Sequence, residues 1–208
     1  RFEPLGLARA RQDLIAAGYD RSFELLGTPG RGATAVRPAG EAGRARCSWR
    51  DVRVDTRGSS ITLPAGCAID LGGIGKGWTV DQAAAGLRPF QGYAIDAGGD
   101  IYAAGSQGNG DPWTVGIADP FDAGRDICVL AVRDRAVATS TTSKRRWVGE
   151  DGRQMHHLID PRTGLPGTGD VVSATVLADS VARAEVLAKT GLLLGSVKGP
   201  AFLATQQG

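Results

Sequence analysis

Three glycine-rich loops constrain the fold of this chain more than any other feature of its sequence. Each loop follows a short apolar run and carries charged or imidazole side chains. They lie at residues 70–77 (DLGGIGKG), 96–100 (DAGGD) and 156–164 (HHLIDPRTG). Glycine adopts positive φ at little steric cost and lets the backbone approach a ligand closely. We therefore expect a site for a large, phosphate-bearing ligand.

The composition limits the class of protein. A chain of 208 residues can bury a substantial core, and a formal net charge of +2 is too small to indicate nucleic-acid binding. No apolar run reaches the roughly 18 residues that a membrane span requires, and no signal peptide is visible. The three cysteines, Cys47, Cys67 and Cys128, have neither metal-ligand spacing nor a disulfide pattern, so we expect buried or half-buried thiols.

The hydrophobic pattern predicts strands and helices in a mixed order. Helices are expected at residues 5–17, 75–87 and 181–194, the last ended by Gly195, and a flexible excursion at residues 27–43. Because the order lacks a strict βαβ rhythm, the fold class is α+β rather than a doubly wound sheet. The inward face of the second helix is predicted to carry Trp78, Val80, Ala83, Ala84 and Leu87. Strands are predicted at residues 52–54, 60–63, 68–71, 93–96, 101–104, 113–117, 127–132, 136–138, 157–159 and 173–177.

The first loop has two readings. A glycine turn that opens a helix offers N–H groups and a positive dipole end to an anion, and Lys76 adds a mobile charge. The same glycines also suit a tight structural turn, and the spacing matches neither a P-loop nor a dinucleotide fingerprint. The second loop is similarly either a plain hairpin with two solvated acids or a bare backbone against a ligand.

Two histidines and one ion pair complete the set of candidate residues. His156 and His157 point to opposite faces if extended, so at most one faces a site, as an acid–base group or as a structural strand-end residue. Glu185 and Lys189 are spaced i, i+4 on the last predicted helix, which alone indicates a surface ion pair. However, that helix is apolar nearly all round, which favours a partly buried pair.

Together these motifs resemble the ApbE family, the FAD:protein FMN transferases. Six matches occur in family order, and the resemblance covers about residues 18–195. They lie at residues 69–78 with Asp81, 95–101, 112–117 with Asp119 and Pro120, 137–140, 157–164, and 184–189 before Leu194 and Gly195.

The resemblance implies one ApbE-like domain, residues 1–208, of mixed, mostly antiparallel sheets with flanking helices. It would lack the family's usual N-terminal segment and extreme C-terminus. The implied bacterial enzyme transfers FMN from FAD to a Ser or Thr hydroxyl of an acceptor protein, with Mg²⁺, and releases AMP. Two alternatives are an FAD pyrophosphate hydrolase that gives FMN and AMP, and a non-catalytic flavin-binding module. We expect a cytoplasmic protein, or a cell-envelope protein if an export signal has been removed.

The resemblance also assigns roles by position. His157 matches the histidine associated with transfer, and Asp160 or Glu185 is a possible orienter. Gly73 matches a carbonyl ligand of the metal and Glu185 an acidic one. Lys189 stands where a threonine usually completes the metal site, so we expect its ammonium group to weaken or abolish Mg²⁺ binding. The expected flavin-binding residues are Asp70, Lys76, Asp96, Thr139, His157 and Ile159.

Overall fold

The computed structural model describes residues 48–206 except 66, 68, 150 and 151. The helix predicted at residues 5–17 and the excursion at 27–43 lie outside these residues. After a single 3-10 turn, Trp49–Asp51, two helices and twelve strands follow. The helices are α1 (Gly75–Gly86) and α2 (Val181–Ala204). The strands are β1 (Arg53–Asp55), β2 (Ser60–Thr62), β3 (Gly92–Asp96), β4 (Asp100–Gly105), β5 (Trp113–Ala118), β6 (Asp126–Val132), β7 (Arg135–Thr141), β8 (Arg146–Val148), β9 (Gln154–His156), β10 (Ile159–Asp160), β11 (Leu165–Pro166) and β12 (Ser173–Ala178).

These elements fall into two compact units. Among the described residues, unit 1 contains 72–143 and 168–206, and unit 2 contains 48–71 and 144–167. Every strand pair among the described residues is antiparallel. The α+β class with mostly antiparallel sheets, predicted from the mixed order of elements, is therefore confirmed.

A four-stranded sheet of order β12-β7-β4-β3 forms the centre of unit 1. Both helices and the β5–β6 hairpin pack around this sheet, and β7 contributes to two apolar clusters. Ala136 and Ala138 pack with residues of α1 and α2, including Val80 and Ala184. Val137 points to the opposite face of the strand and packs with the β5–β6 hairpin. The sheet is thus covered on both faces.

Helix α1 begins and ends almost where the sequence predicts, but its inward face is narrower. Gly77, Val80 and Ala84 are buried at i, i+3 and i+7. The predicted burial of Trp78 and Ala83 is wrong, because both are exposed. A Cβ on Gly77 would lie 2.7 Å from the backbone nitrogen of Ala182. This backbone contact with α2 narrows the buried stripe and leaves the flanking positions outside it.

Helix α2 bends where glycine was predicted to end it. Gly195 has a φ of 83°, so the helical conformation is interrupted there. The Asp170 carboxylate accepts the Ser196 N–H at 2.9 Å and starts the second segment. By length and composition alone this helix could cross a membrane. The helix packs against β7 and β12. The absence of a membrane span remains a prediction.

Unit 2 contains three short hairpins, β1–β2, β8–β9 and β10–β11. The predicted β1–β2 hairpin is confirmed, and the Asp55 carboxylate accepts the N–H groups of Arg57 and Gly58 in its turn. The strand predicted at 68–71 is wrong, because the described residues 69–71 form no strand. A short apolar run makes a strand only where a neighbouring strand offers a ladder.

Two further predictions in unit 2 need correction. A strand over 157–159 is wrong, since β9 ends at His156 and β10 begins at Ile159. The intervening N–H of Leu158 donates to the His156 ring instead of a ladder. The cysteine prediction is also wrong: Cys67 is disulfide-bonded, and the free thiol of Cys128 is exposed. Sequence spacing cannot reveal a disulfide that depends on the fold.

Candidate functional site

Four charged side chains form a cluster in unit 1 at the start of α1. Lys189 Nζ lies 2.7 Å from Glu185 Oε1, and Lys76 Nζ lies 3.1 Å from Asp100 Oδ2. Both carboxylates are buried, at 2% exposure for Glu185 and 1% for Asp100. The prediction that the Glu185–Lys189 pair is partly buried is confirmed, and Lys76 is brought together with Asp100. Two anions and two cations thus balance one another in this cluster.

The position of Glu185 is fixed by reciprocal capping of the two helices. The N-cap residue of α1 makes no side-chain cap hydrogen bond, but the Gly77 N–H donates to Glu185 Oε2 at 2.8 Å. In return, the Asp81 carboxylate of α1 accepts the N–H groups of Val181 at 2.8 Å and Ala182 at 3.0 Å in the first turn of α2. First-turn N–H groups have no intrahelical acceptor, so each helix satisfies the other. We call this arrangement the reciprocal cap.

Asp100 is the carboxyl group of the cluster whose pKa is raised. Burial raises the pKa of its carboxyl group, the Lys76 ammonium opposes that rise, and the charge of Glu185 adds to it. Although Lys76 Nζ is close, its direction leaves the buried Oδ2 atom without a directed hydrogen bond. Lys76 is also 45% exposed and lies 3.5 Å from the Gly98 carbonyl. The lysine therefore has freedom to move toward a ligand while Asp100 stays in place.

The second glycine loop is a tight turn held by its own aspartate. Gly98 and Gly99 have φ values of 67° and 93°, which favour glycine. Asp96 Oδ1 accepts the Gly99 N–H at 2.8 Å. On the neighbouring strand, the hydroxyl groups of Thr139 and Thr175 lie 2.9 Å apart. Asp96 and Thr139, both expected to bind flavin, thus have structural contacts in unit 1.

The charge cluster does not fit a divalent cation. Mg²⁺ prefers oxygen ligands, whereas an ammonium group only donates hydrogen bonds. Both oxygens of Glu185 are already engaged, by Lys189 and by Gly77. Among the described residues, no group of three or more His, Cys, Asp or Glu is placed to hold a metal. A divalent cation 4 Å from Lys189 Nζ would be repelled by about 8 kcal/mol at an effective dielectric constant of 20, which offsets the attraction of one carboxylate at the same distance. Gly73 is buried before α1, and its carbonyl alone does not change this balance.

Unit 2 holds His157, Ile159 and Asp70. His157 is half-buried, and its Nδ1 atom lies 3.2 Å from the Arg145 carbonyl. A carbonyl only accepts hydrogen bonds, so Nδ1 carries the proton and the lone pair of the neutral ring is on Nε2. The Arg145 backbone, and not a carboxylate, is thus the group that orients Nδ1. Ile159 is buried in β10, and Asp70 is exposed before the first glycine loop.

His156 has the opposite tautomer and a structural environment. Its Nε2 atom lies 2.8 Å from the Gly167 carbonyl, and its Nδ1 atom accepts the Leu158 N–H at 3.2 Å. Burial lowers the pKa of His156, and the Gly167 carbonyl partly opposes this shift. Protonation would also place a second N–H against that of Leu158. His156 therefore holds the loop as a neutral ring.

The third glycine loop is closed by a charged turn. Arg162 donates from Nε and Nη2 to the buried carboxylate of Asp160, at 2.9 and 2.7 Å. The Asp160 carbonyl accepts the N–H of Gly164 at 2.8 Å, and Gly164 has a φ of 72°. The ion pair also raises the pKa of Arg162. The Asp160 carboxylate is thus engaged in its own turn, and the hypothesis that it orients His157 stays a prediction.

Sequence reasoning missed three residues that shape these sites. Asp100 was predicted as a solvated acid of a hairpin or as a neighbour of a ligand, and its pairing with Lys76 was not foreseen. Asp81 was part of a motif without a role, although it caps α2. The Arg145 backbone contact with His157 left no signal in the sequence, because any residue has a carbonyl group.

Unit 1 also contains an open cleft of about 540 Å³ between the β5–β6 hairpin and β12. Ile117, Ile127, Leu130 and Leu177 contribute to its walls, which are mostly apolar. None of the site residues predicted from the sequence lines this cleft.

The described residues thus form an antiparallel α+β fold with a buried charge cluster in unit 1 and a half-buried histidine in the glycine loop of unit 2. A family model described as the ApbE family matches residues 22–208, and the chain belongs to this family. The chain is 35% identical over 177 residues to an FAD:protein FMN transferase of Treponema pallidum, covering 76% of this chain and 48% of that protein. A Vibrio cholerae protein of the same name is 35% identical over 142 residues, covering 67% of this chain and 42% of that protein. The chain thus spans about half the length of the curated relatives it matches.

Solved structures agree with this assignment. The crystal structure of the ApbE protein of Thermotoga maritima matches with a TM-score of 0.73 at 26% identity, over 99% of this chain and 72% of that one. The flavin transferase ApbE of Vibrio cholerae matches with a TM-score of 0.66 at 28% identity, over 95% of this chain and 68% of that one. The resemblance of the six sequence motifs to this family is confirmed.

Proposed function

We propose that this chain is an ApbE-like flavin transferase domain that moves FMN from FAD to a Ser or Thr hydroxyl group of an acceptor protein. Family membership over residues 22–208 carries this proposal. The curated relatives are FAD:protein FMN transferases, and the chain is 35% identical to two of them. The charge cluster of unit 1 and the oriented His157 of unit 2 supply the two kinds of group that the reaction needs.

The reaction exchanges the phosphoanhydride bond of the FAD pyrophosphate for a phosphoester bond to the acceptor. The acceptor hydroxyl oxygen attacks the phosphorus on the FMN side of FAD, the bond to the bridging oxygen of the pyrophosphate breaks, and AMP leaves. We assign His157 as the base that takes the hydroxyl proton, because its neutral ring carries the lone pair on Nε2. Asp70 and Ile159, in the same unit, are proposed to contact the flavin.

In unit 1, Lys76 and Lys189 are proposed to stabilise negative charge on the pyrophosphate. Both ammonium groups are partly exposed and are held by buried carboxylates, so their charges are available to an anion. Asp96 and Thr139 shape the adjoining turn and strand, and are proposed to approach the flavin through that backbone. Mg²⁺ is omitted from this scheme because the residues at the expected metal position do not fit it.

The test is an incubation of the chain with FAD and a tagged acceptor protein that carries a Ser or Thr flavinylation site. In-gel flavin fluorescence reports transfer, and chromatography reports free flavins and AMP. We expect a fluorescent acceptor band that His157→Ala abolishes. His156→Gln is the matched control, because the neighbouring ring has a structural environment, and it should retain the band.

Two other results would overturn the proposal. Free FMN and AMP without a labelled acceptor would identify an FAD pyrophosphate hydrolase. Intact FAD after long incubation, with FAD still bound to the chain, would identify a non-catalytic flavin-binding module.

A further inference from the structure

The ammonium group of Lys189 occupies the place beside Glu185 where a divalent cation would otherwise bind. We infer that it supplies that positive charge itself, so that this chain binds the FAD pyrophosphate without Mg²⁺. The inference rests on the proposed function, which identifies the ligand as FAD. It follows from the mismatch between the Lys189 ammonium group and the oxygen ligands that a divalent cation needs.

Both carboxylate oxygens of Glu185 already accept a hydrogen bond. Its Oε1 atom lies 2.7 Å from Lys189 Nζ, and its Oε2 atom accepts the Gly77 N–H at 2.8 Å. The side chain is 2% exposed, and the reciprocal cap fixes its position. A cation at this carboxylate would therefore have to share its oxygens with the Lys189 ammonium group and the Gly77 N–H.

The charges of the whole cluster are already balanced. Asp100, the other buried carboxylate, faces Lys76 in the same way that Glu185 faces Lys189. The charges of Glu185 and Lys189 also act on Asp100, so the four groups form one electrostatic unit. Two ammonium groups already match the two carboxylates. A divalent cation would leave an excess of positive charge in a largely buried place.

The ammonium group of Lys189 can offer hydrogen-bond donors and a positive charge to a ligand. An ammonium group has three donors, and the Glu185 carboxylate is its hydrogen-bond acceptor among the described residues. The side chain is 23% exposed, so part of the group faces solvent. Lysine binds phosphate as a compact point charge. Lys189 is thus a built-in counter-ion for the pyrophosphate.

The experiment compares the intact chain with Lys189→Thr, which replaces the ammonium group with a hydroxyl oxygen that can ligate Mg²⁺. Lys198→Thr is the control, because Lys198 is an exposed lysine of the same helix. FAD affinity is measured by flavin fluorescence titration, and thermal unfolding is followed without FAD, each in EDTA and in millimolar MgCl₂. The unfolding readout does not depend on activity.

For the unchanged protein and for Lys198→Thr, we expect the same FAD affinity and the same Tm in both buffers. In EDTA, Lys189→Thr should bind FAD about 10-fold or more weaker, the loss expected for a charged hydrogen bond. It should also unfold at a lower temperature, because Glu185 loses its cation. MgCl₂ should restore both properties, and Lys189→Arg should retain FAD binding in EDTA.

The inference is overturned if MgCl₂ raises the Tm of the unchanged protein or strengthens its FAD binding about 10-fold. It is also overturned if Lys189→Thr binds FAD in EDTA as tightly as the unchanged protein. If no variant binds FAD in either buffer, the proposed function fails instead. The effect of MgCl₂ on Tm then still decides the inference, because a shift in the unchanged protein contradicts it and a shift confined to Lys189→Thr supports it.

Discussion

The close contact between Gly77 and the start of α2 predicts that one methyl group will destabilise unit 1. In Gly77→Ala, the new Cβ would lie 2.7 Å from the Ala182 nitrogen and 2.8 Å from the Val181 carbonyl carbon. Both are backbone atoms, so no side-chain rotation can relieve the overlap. The helices must separate, which also pulls the Gly77 N–H away from Glu185.

The expected magnitude follows from three opposing contributions. Alanine in a helix is favoured over glycine by about 1 kcal/mol. Overpacking costs about 1–3 kcal/mol. The weakened hydrogen bond to a charged carboxylate costs about 1.5–3 kcal/mol. We therefore expect the free energy of unfolding to fall by about 1.5–5 kcal/mol, measured by urea unfolding followed by circular dichroism.

Gly86→Ala provides the matched control on the same helix. A Cβ on Gly86 meets no atom within 4 Å, so only the helix preference and the restricted unfolded chain remain. This variant should gain about 0.5 kcal/mol. If Gly77→Ala is as stable as Gly86→Ala, or more so, the close backbone contact does not exist as described.

Two further perturbations test contacts of the candidate sites. Asp81→Ala removes the acceptor of the Val181 and Ala182 N–H groups, so the free energy of unfolding should fall by about 2 kcal/mol in urea titrations; a loss below about 0.5 kcal/mol would contradict the cap. The pKa of His156 is lowered in the folded state, so below the ordinary value of 6.5 the unfolded chain binds more protons than the folded chain. The free energy of unfolding should therefore fall as the pH drops from 6.5 toward the folded-state pKa. Urea midpoints at pH 7.5, 6.5 and 5.5 should show this decline, and His156→Gln should reduce it; an equal decline in both proteins would exclude His156 as its source.

The sequence was sufficient where local chemistry decides the structure. The Gly98–Gly99 turn has the positive φ values that only glycine adopts easily, so the hairpin of β3 and β4 was predicted closely. Helix α2 is apolar nearly all round, which correctly indicated that Glu185 is buried. In both cases the information lies within a few neighbouring residues.

The predictions failed where the structure depends on contacts between residues that are far apart in the sequence. Trp78 is apolar and helical, yet it is exposed, because the face that α1 buries against α2 is centred on Gly77. The burial of Asp100 depends on Lys76, which lies 24 positions earlier in the chain. The Nδ1 atom of His157 contacts the backbone carbonyl of Arg145, 12 positions earlier in the chain. None of these partners can be read from local spacing.

The reciprocal cap has a consequence for the exchange of backbone protons with solvent. Amides in the first turn of a helix ordinarily exchange fast, because they have no intrahelical acceptor. Here Gly77, Val181 and Ala182 donate to carboxylates of the opposite helix, so no opening confined to one helix end releases them. In deuterium oxide these three amides should therefore exchange as slowly as the neighbouring helix interiors, and the two helix starts should open together or not at all.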